Sequence, residues 1–208
     1  MIELNTPIAE ADIRRLQVGD SVSLSGVIVT ARDAAHKYMT ENFIATGGRA
    51  PEAERELHYR LKDLLEGSVL YHCGPVVDRD ESGHWRFVAA GPTTSAREEP
   101  YQAGVIDYFK LRGVIGKGGM GERTMAGLIK TGACYFHAIG GAASVIAECC
   151  KEVIEVHKME EFGTPEAFWV LRVENFPLVV TMDSHGGSLH KEIAEKSRAL
   201  RDALLQGS

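Results

Sequence analysis

No stretch of this sequence approaches the roughly 18 consecutive apolar residues that a membrane-spanning helix requires, so no membrane span is expected. Its opening, Met1-Ile2-Glu3-Leu4-Asn5-Thr6-Pro7, lacks a charged n-region and an apolar h-region, so a secretory leader is not expected and the chain reads as cytoplasmic. Cysteine is scarce. The four cysteines, Cys73, Cys134, Cys149 and Cys150, are irregularly spaced in apolar surroundings, which excludes a disulfide framework and points to buried, reduced thiols. Cys149-Cys150 is a vicinal pair closing an apolar helical stretch, without further ligands at C-x₂-C spacing, so the chain by itself is expected to hold neither metal nor cluster. Positive charge is also short: 23 lysines and arginines stand against 29 acidic residues, a net −6. With no basic block and no arginine-aromatic interleaving, a nucleic-acid partner is not expected.

What remains is the composition of a folded globular chain. At 208 residues, 44% of them hydrophobic, it can bury a sizeable core and reads as one domain over 1–208. Strands and helices alternate without a linker, which predicts an α/β fold with helices packed on a sheet. Thr6-Pro7 suits an N-cap followed by Pro, opening a short helix through Leu16. Val22 to Thr30 reads as a strand buried on both faces, because Val27, Ile28 and Val29 are consecutive. Leu57, Leu61, Leu64 and Leu65 fall at i, i+4, i+7, i+8 and mark an amphipathic helix within a stretch, 38–67, that resembles a helical insertion. Strands are predicted at 69–71, 76–77, 85–90, 114–115, 133–137, 153–156, 168–173 and 178–182. Helices are predicted at 101–112, 122–130, after Gly140-Gly141, and at 189–205, the last with a charged, solvated face.

Three segments share one layout, a strand-like run leading into a polar or glycine-rich turn: Thr30-Ala31-Arg32-Asp33-Ala34-Ala35-His36, Gly91-Pro92-Thr93-Thr94-Ser95-Ala96-Arg97, and Gly116-Lys117-Gly118-Gly119-Met120-Gly121. Hydroxyls beside an arginine make a carboxylate receptor, and together the segments supply two arginines and a lysine for anions. Each has a plainer reading. Arg32 can pair internally with Asp33, and His36 can be a helix-surface histidine, although the two share a helix face if the helix starts at Ala31 or earlier. Thr93 and Thr94 can cap a helix whose first turn holds Glu98 and Glu99. The glycine segment matches G-x-G-x-x-G between a strand and a helix, the pattern of a nucleotide-binding oxidoreductase. The acidic residue expected about 20 positions later is missing, however, and the loop is no Walker motif. An anion-binding turn and a structural turn with an exposed lysine both fit it. His58, His84, His137, His157, His185 and His190 show no ligand spacing.

Taken in order and spacing, the three segments resemble the β subunit of iron–sulfur hydro-lyases, the class I fumarase and L-tartrate dehydratase family. The similarity continues through Ile139-Gly140-Gly141-Ala142-Ala143, Glu161 to Trp169, and Val173-Glu174-Asn175-Phe176-Pro177. The resemblance implies a swivelling β/β/α domain with mixed sheet layers. It also implies a separate α subunit carrying a [4Fe-4S] cluster on three cysteines, and an α₂β₂ assembly acting on a dicarboxylate. By the same resemblance Arg32, Thr93, Arg97 and Lys117 reach the substrate, the basic residues binding its carboxylates or hydroxyl and Thr93 and Lys117 acting at the reacting centre, with His36 as a fifth candidate. Fumarate hydration to malate is the favoured activity, and dehydration of L-tartrate to oxaloacetate the alternative. Two departures stand out: Glu98-Glu99-Pro100 follows the Thr-Thr-x-x-Arg motif where relatives usually have Met and then an acidic residue, and the 38–67 region is longer than expected for the tartrate enzymes.

Overall fold

Residues of the central strands point alternately into two apolar cores, and that alternation defines the architecture. Val69 and Tyr71 lie in one core and Leu70 in the other; Ile115 and Val114, then Phe136 and Tyr135, divide the same way. A strand with apolar neighbours on both faces sits between two layers, which is why these segments are nearly continuous apolar runs. The structure, a computed structural model, describes residues 1–206.

Strand β1 (Ile2–Asn5) leads through a short helix α1 (Glu10–Ile13) to β2 (Ser21–Thr30). Helix α2 (Asp33–Met39), a π-helical turn over Thr40–Ile44 and helix α3 (Arg55–Leu65) then cross to β3 (Val69–Tyr71). A hairpin of β4 (Val76–Arg79) and β5 (Trp85–Ala89) is followed by α4 (Glu99–Phe109), β6 (Gly113–Gly116), α5 (Glu122–Thr131) and β7 (Cys134–His137). The chain closes with α6 (Ala143–Cys149), β8 (Cys150–His157), α7 (Met159–Phe162), β9 (Phe168–Met182) and α8 (Leu189–Gln206).

Strands β1, β2, β3, β6 and β7 run parallel in that order. The 15-residue β9 then pairs antiparallel with β7 through Val179 to Met182 and with β2 along most of its length, while β8 flanks it. Since β9 bonds to both ends of the row β2-β3-β6-β7, the sheet closes on itself and encloses the first core, around Tyr71, Phe136, Trp169, Leu171 and Phe176. The second core fills the gap between the outer face of the parallel strands and helices α2 to α5, with Phe43, Leu61, Leu65, Ile106 and Phe109 fully or almost fully buried. Antiparallel strands, parallel strands and helices therefore form successive layers of an α/β fold, and each buried Leu, Ile or Phe withdrawn from water contributes about 1.5–3 kcal/mol.

Two sequence expectations change. Thr6-Pro7 does not open a helix: its peptide bond is cis, the Thr6 hydroxyl donates to the Val27 carbonyl at 2.8 Å instead of capping, and α1 is a single turn beginning at Glu10. Segments 168–173 and 178–182 are one strand, continuous through Asn175, whose left-handed φ of 53° sits opposite the register shift between Leu24 and Gly26. The helical 38–67 stretch is the crossover joining parallel strands β2 and β3, with Phe43, Leu61 and Leu65 fully buried in the second core.

Candidate functional site

Parallel strands present the residues that follow them along one edge of the sheet, where α/β folds bind ligands. Arg32 comes two residues after β2, His72 directly after β3, and Lys117 directly after β6, while His137 ends β7. The turn after β5 is stitched across this edge. The Thr93 N–H donates to the His72 carbonyl at 2.6 Å, the Lys117 N–H to the Thr93 carbonyl at 3.3 Å, and the Ser95 N–H to the Lys117 carbonyl at 3.0 Å. Arg97 reaches the other way, its Nε donating to Asp33 Oδ1 at 3.2 Å and its Nη2 pairing with Oδ2. The three sequence segments are thus joined, the second touching both the first and the third.

Their side chains differ in freedom. Arg32 is largely buried, its Nε 3.3 Å from Glu166 Oε1, and Gly74 is what makes room for it: a Cβ there would stand 2.4 Å from Nη1. Arg97 is 58% exposed despite its pairing with Asp33. Lys117 and Thr93 are half-buried, and among the described residues neither the Lys117 ammonium nor the Thr93 hydroxyl has a hydrogen-bond or ion-pair partner. His36 differs from all four, being fully buried. Helix α2 starts at Asp33, with Arg32 extended at its N-cap, so Arg32 and His36 do not share a helix face. Instead the Arg32 carbonyl accepts from the His36 backbone N–H at 2.9 Å and lies 2.9 Å from His36 Nδ1.

Beneath the edge runs a polar network that sequence reasoning missed. The Gln102 side-chain amide lies 2.9 Å from His36 Nε2 and 2.7 Å from His72 Nε2, His72 Nδ1 is 2.8 Å from Ser95 Oγ, and Ser95 Oγ is 2.8 Å from the Tyr135 hydroxyl. Burial pushes the pKa of both histidines below the usual range, His72 furthest, with the nearby His36 adding to the effect. Neutral rings settle the proton positions. His36 Nδ1 faces a carbonyl and must carry the proton, leaving Nε2 to accept; the amide group facing the two imidazoles is then the Gln102 nitrogen, whose two hydrogens serve both rings. His72 is the hub: its backbone N–H donates to the Ile115 carbonyl at 2.8 Å and its carbonyl holds Thr93. Only glycine fits beside this network at 116, where a Cβ would stand 1.8 Å from Ser95 Oγ.

Glu98 and Glu99 part company. Glu99 is the first residue of α4 but caps α5, its carboxylate accepting from the N–H groups of Gly121 (2.7 Å), Arg123 (3.0 Å) and Thr124 (3.2 Å). It thereby fills the helix N-terminus where a dinucleotide's pyrophosphate would sit, which disfavours the nucleotide-binding reading of the glycine loop. Glu98 turns inward and is fully buried. Burial first, then the carboxylates of Asp33 and Glu166, push its pKa up to about 8, against the opposing pull of Arg97 and Arg32. Ser95 and Glu98 gave no sequence signal beyond their places in the turn, whereas His72 was findable as a histidine directly after a buried strand.

The thiols do not assemble a metal cradle. Cys73 and Cys134 are fully buried and Cys149 and Cys150 half-buried, all free, and burial pushes the Cys134 and Cys150 thiols up to about 12. Among the described residues no three His, Cys, Asp or Glu side chains group as metal ligands, so an iron–sulfur cluster does not fit this chain's own residues. No helix among them is long and apolar enough to cross a membrane.

Comparison with known proteins adds a family model, Fumarase C-terminus, that matches residues 1–193. The chain is 48% identical over 197 residues to a protein of Geobacillus stearothermophilus named putative fumarate hydratase class I, covering 95% of this chain and 35% of that protein. It is 36% identical over 190 residues to the putative L(+)-tartrate dehydratase subunit beta of Methanocaldococcus jannaschii, covering 91% of each. It is also 36% identical over 204 residues to the L(+)-tartrate dehydratase subunit beta of Escherichia coli K12, covering 98% of this chain and 93% of that one. The chain therefore spans about a third of the Geobacillus protein's length and nearly all of the other two.

Proposed function

Because this chain belongs to the Fumarase C-terminus family, we propose that it is the β subunit of a two-subunit, [4Fe-4S]-dependent hydro-lyase that reversibly hydrates fumarate to malate. The cluster, for which this chain's residues offer no cradle, is assigned to a separate α subunit, in an α₂β₂ assembly in the cytoplasm. The observation that carries the proposal is the convergence of the three motif segments on one sheet edge, joined through Thr93, Lys117, Arg97 and Asp33.

Each residue has work suited to its surroundings. Water adds across a dicarboxylate's double bond only if both carboxylates are held and the negative charge that grows on one of them is stabilised. Arg32 and Arg97 supply planar forks for carboxylates, and Lys117, whose ammonium is unpaired, supplies a point charge for the developing negative charge or the hydroxyl. Thr93 presents its free hydroxyl beside Lys117. A threonine hydroxyl is a poor base, so Thr93 orients the substrate or relays a proton exchanged with an acidic residue of the partner, which gives it to the carbon in hydration and takes it back in dehydration. His36, buried beneath Arg32, is given a supporting role: it holds the Arg32 carbonyl in place.

L-Tartrate dehydration is the second reading, favoured by the near-complete coverage of two proteins named as tartrate dehydratase β subunits. Both readings are tested by combining the chain anaerobically with its cluster-bearing α partner and assaying fumarate and L-tartrate separately. Hydro-lyase turnover by the pair and none by this chain alone is expected, with the faster substrate deciding between them. Turnover by this chain alone, or consumption of neither diacid by the pair, overturns the proposal.

A further inference from the structure

Among the described residues, both carboxyl oxygens of Glu98 and a terminal atom of the Gln102 amide are buried without a hydrogen bond, close to Arg32 Nε and Asp33 Oδ2, whose only polar contacts are the ion pairs with Glu166 and Arg97. Buried polar atoms are nearly always paired, so a carboxyl with neither oxygen hydrogen-bonded beneath the arginines marks a point where the site is unfinished without a proton or a ligand. Glu98 is at its centre. It follows Arg97, lies one helical turn before Gln102, and is fully buried. The groups around it are Asp33 and His36 from α2, Arg32 at that helix's N-cap, Glu166 ahead of β9, and Arg97 from its own turn.

The charges around it are already matched. Arg97 pairs with Asp33 and Arg32 lies against Glu166, so each guanidinium has a carboxylate before Glu98 is counted. His36 does not supply a third cation: its Nδ1 is 3.7 Å from Glu98 Oε2, its proton there is directed at the Arg32 carbonyl, and burial keeps the ring neutral. An ionised Glu98 would be a third negative charge against two arginines, placed where a dianionic substrate must bind.

We propose that Glu98 is a positioning residue that keeps its proton while a dicarboxylate is bound, leaving Arg32 and Arg97 their full charge for the substrate, and that its ionisation weakens dicarboxylate binding. The inference rests on the functional reading above. Its pH range follows from the raised pKa of about 8: below that value Glu98 is neutral and binding is at full strength. Above it the competent fraction falls, so the apparent Kd rises by up to about tenfold per pH unit and binding takes up a proton.

The test is calorimetric titration of the assembled α–β complex with succinate, a saturated and unreactive dicarboxylate, from pH 6.5 to 9.5 in two buffers of different ionisation heat. For the wild type, affinity is expected to be flat to near pH 8 and about tenfold weaker one unit higher, with close to one proton taken up. Glu98→Gln is expected to bind with no such loss and no such uptake. In ¹³C NMR of the full chain with labelled glutamate, the resonance lost in Glu98→Gln should titrate near pH 8. Alkaline weakening that persists unchanged in Glu98→Gln, or a Glu98 resonance titrating in the ordinary carboxylate range, overturns the inference alone. Absence of succinate binding at every pH overturns the dicarboxylate reading and the inference with it.

Discussion

Glu98 also makes a prediction about folding that needs neither partner nor substrate. In the unfolded chain its carboxyl titrates near the ordinary 4.5, and in the folded protein near 8. Between those values the folded state binds the extra proton, so stability falls as pH rises through that interval and levels off above it. A difference of 3.5 units between 4.5 and about 8 corresponds to about 5 kcal/mol at about 1.36 kcal/mol per unit. That is a ceiling, since water entering the folded protein relieves part of it. Glu98→Gln keeps the shape and removes the titration, while its own buried amide carries a pH-independent penalty of about 1–3 kcal/mol. Urea unfolding of wild type and variant at pH 5, 6.5 and 8.5 should show the variant gaining about 2–4 kcal/mol on the wild type across that range, whatever their order at pH 5. Two stability profiles that run parallel from pH 5 to 8.5 would refute the placement of an unpaired, buried carboxyl at this position.

Other substitutions probe the scaffold beneath the site. Gly116→Ala sets a Cβ 1.8 Å from Ser95 Oγ and should cost about 1–3 kcal/mol in urea unfolding, with a fall in activity of the assembled enzyme as the Lys117 loop shifts. His72→Phe puts a larger, apolar ring in place of the imidazole and takes one partner each from Ser95 and Gln102, so a loss of about 2–4 kcal/mol is expected, together with a drop in kcat/KM larger than any change in assembly, measured by gel filtration alongside the kinetics. Stability within about 0.5 kcal/mol of wild type for either variant would show that the network does not hold the loops.

Much of this was legible in the sequence because it follows from local rules. Leu57, Leu61, Leu64 and Leu65 gave α3 through helical spacing, and the consecutive Val27, Ile28 and Val29 gave a strand buried on both faces. The unity of β9 was hidden, because Asn175 and Pro177 look like a turn unless one knows that β2 shifts register opposite them. Thr6-Pro7 carries a helix-start signal, yet the Thr6 hydroxyl is drawn to Val27 by a tertiary contact that no local pattern encodes. The same holds for the site. The side chains of the three motifs were singled out only through the family resemblance, and Glu98 and Glu99 are neighbours of identical chemistry, so only the packing of α4 against α5 sends one to a helix N-terminus and the other into the core. Arg32 and His36 looked like a helix-face pair because the start of α2 is uncertain by two residues, the usual margin for helix ends.

The most direct measurement is the steady-state kinetics of the anaerobically assembled α–β enzyme on its preferred diacid, comparing wild type with Arg97→Ala and Lys117→Ala in this chain while gel filtration follows assembly. If this chain lends its cations to a shared dicarboxylate site, each variant should assemble normally and lose at least about 100-fold in kcat/KM, the scale of removing one group that stabilises developing charge. Normal assembly with kcat/KM within about twofold of wild type for both would mean that the edge carrying Arg32, Thr93, Arg97 and Lys117 is not where the substrate is bound.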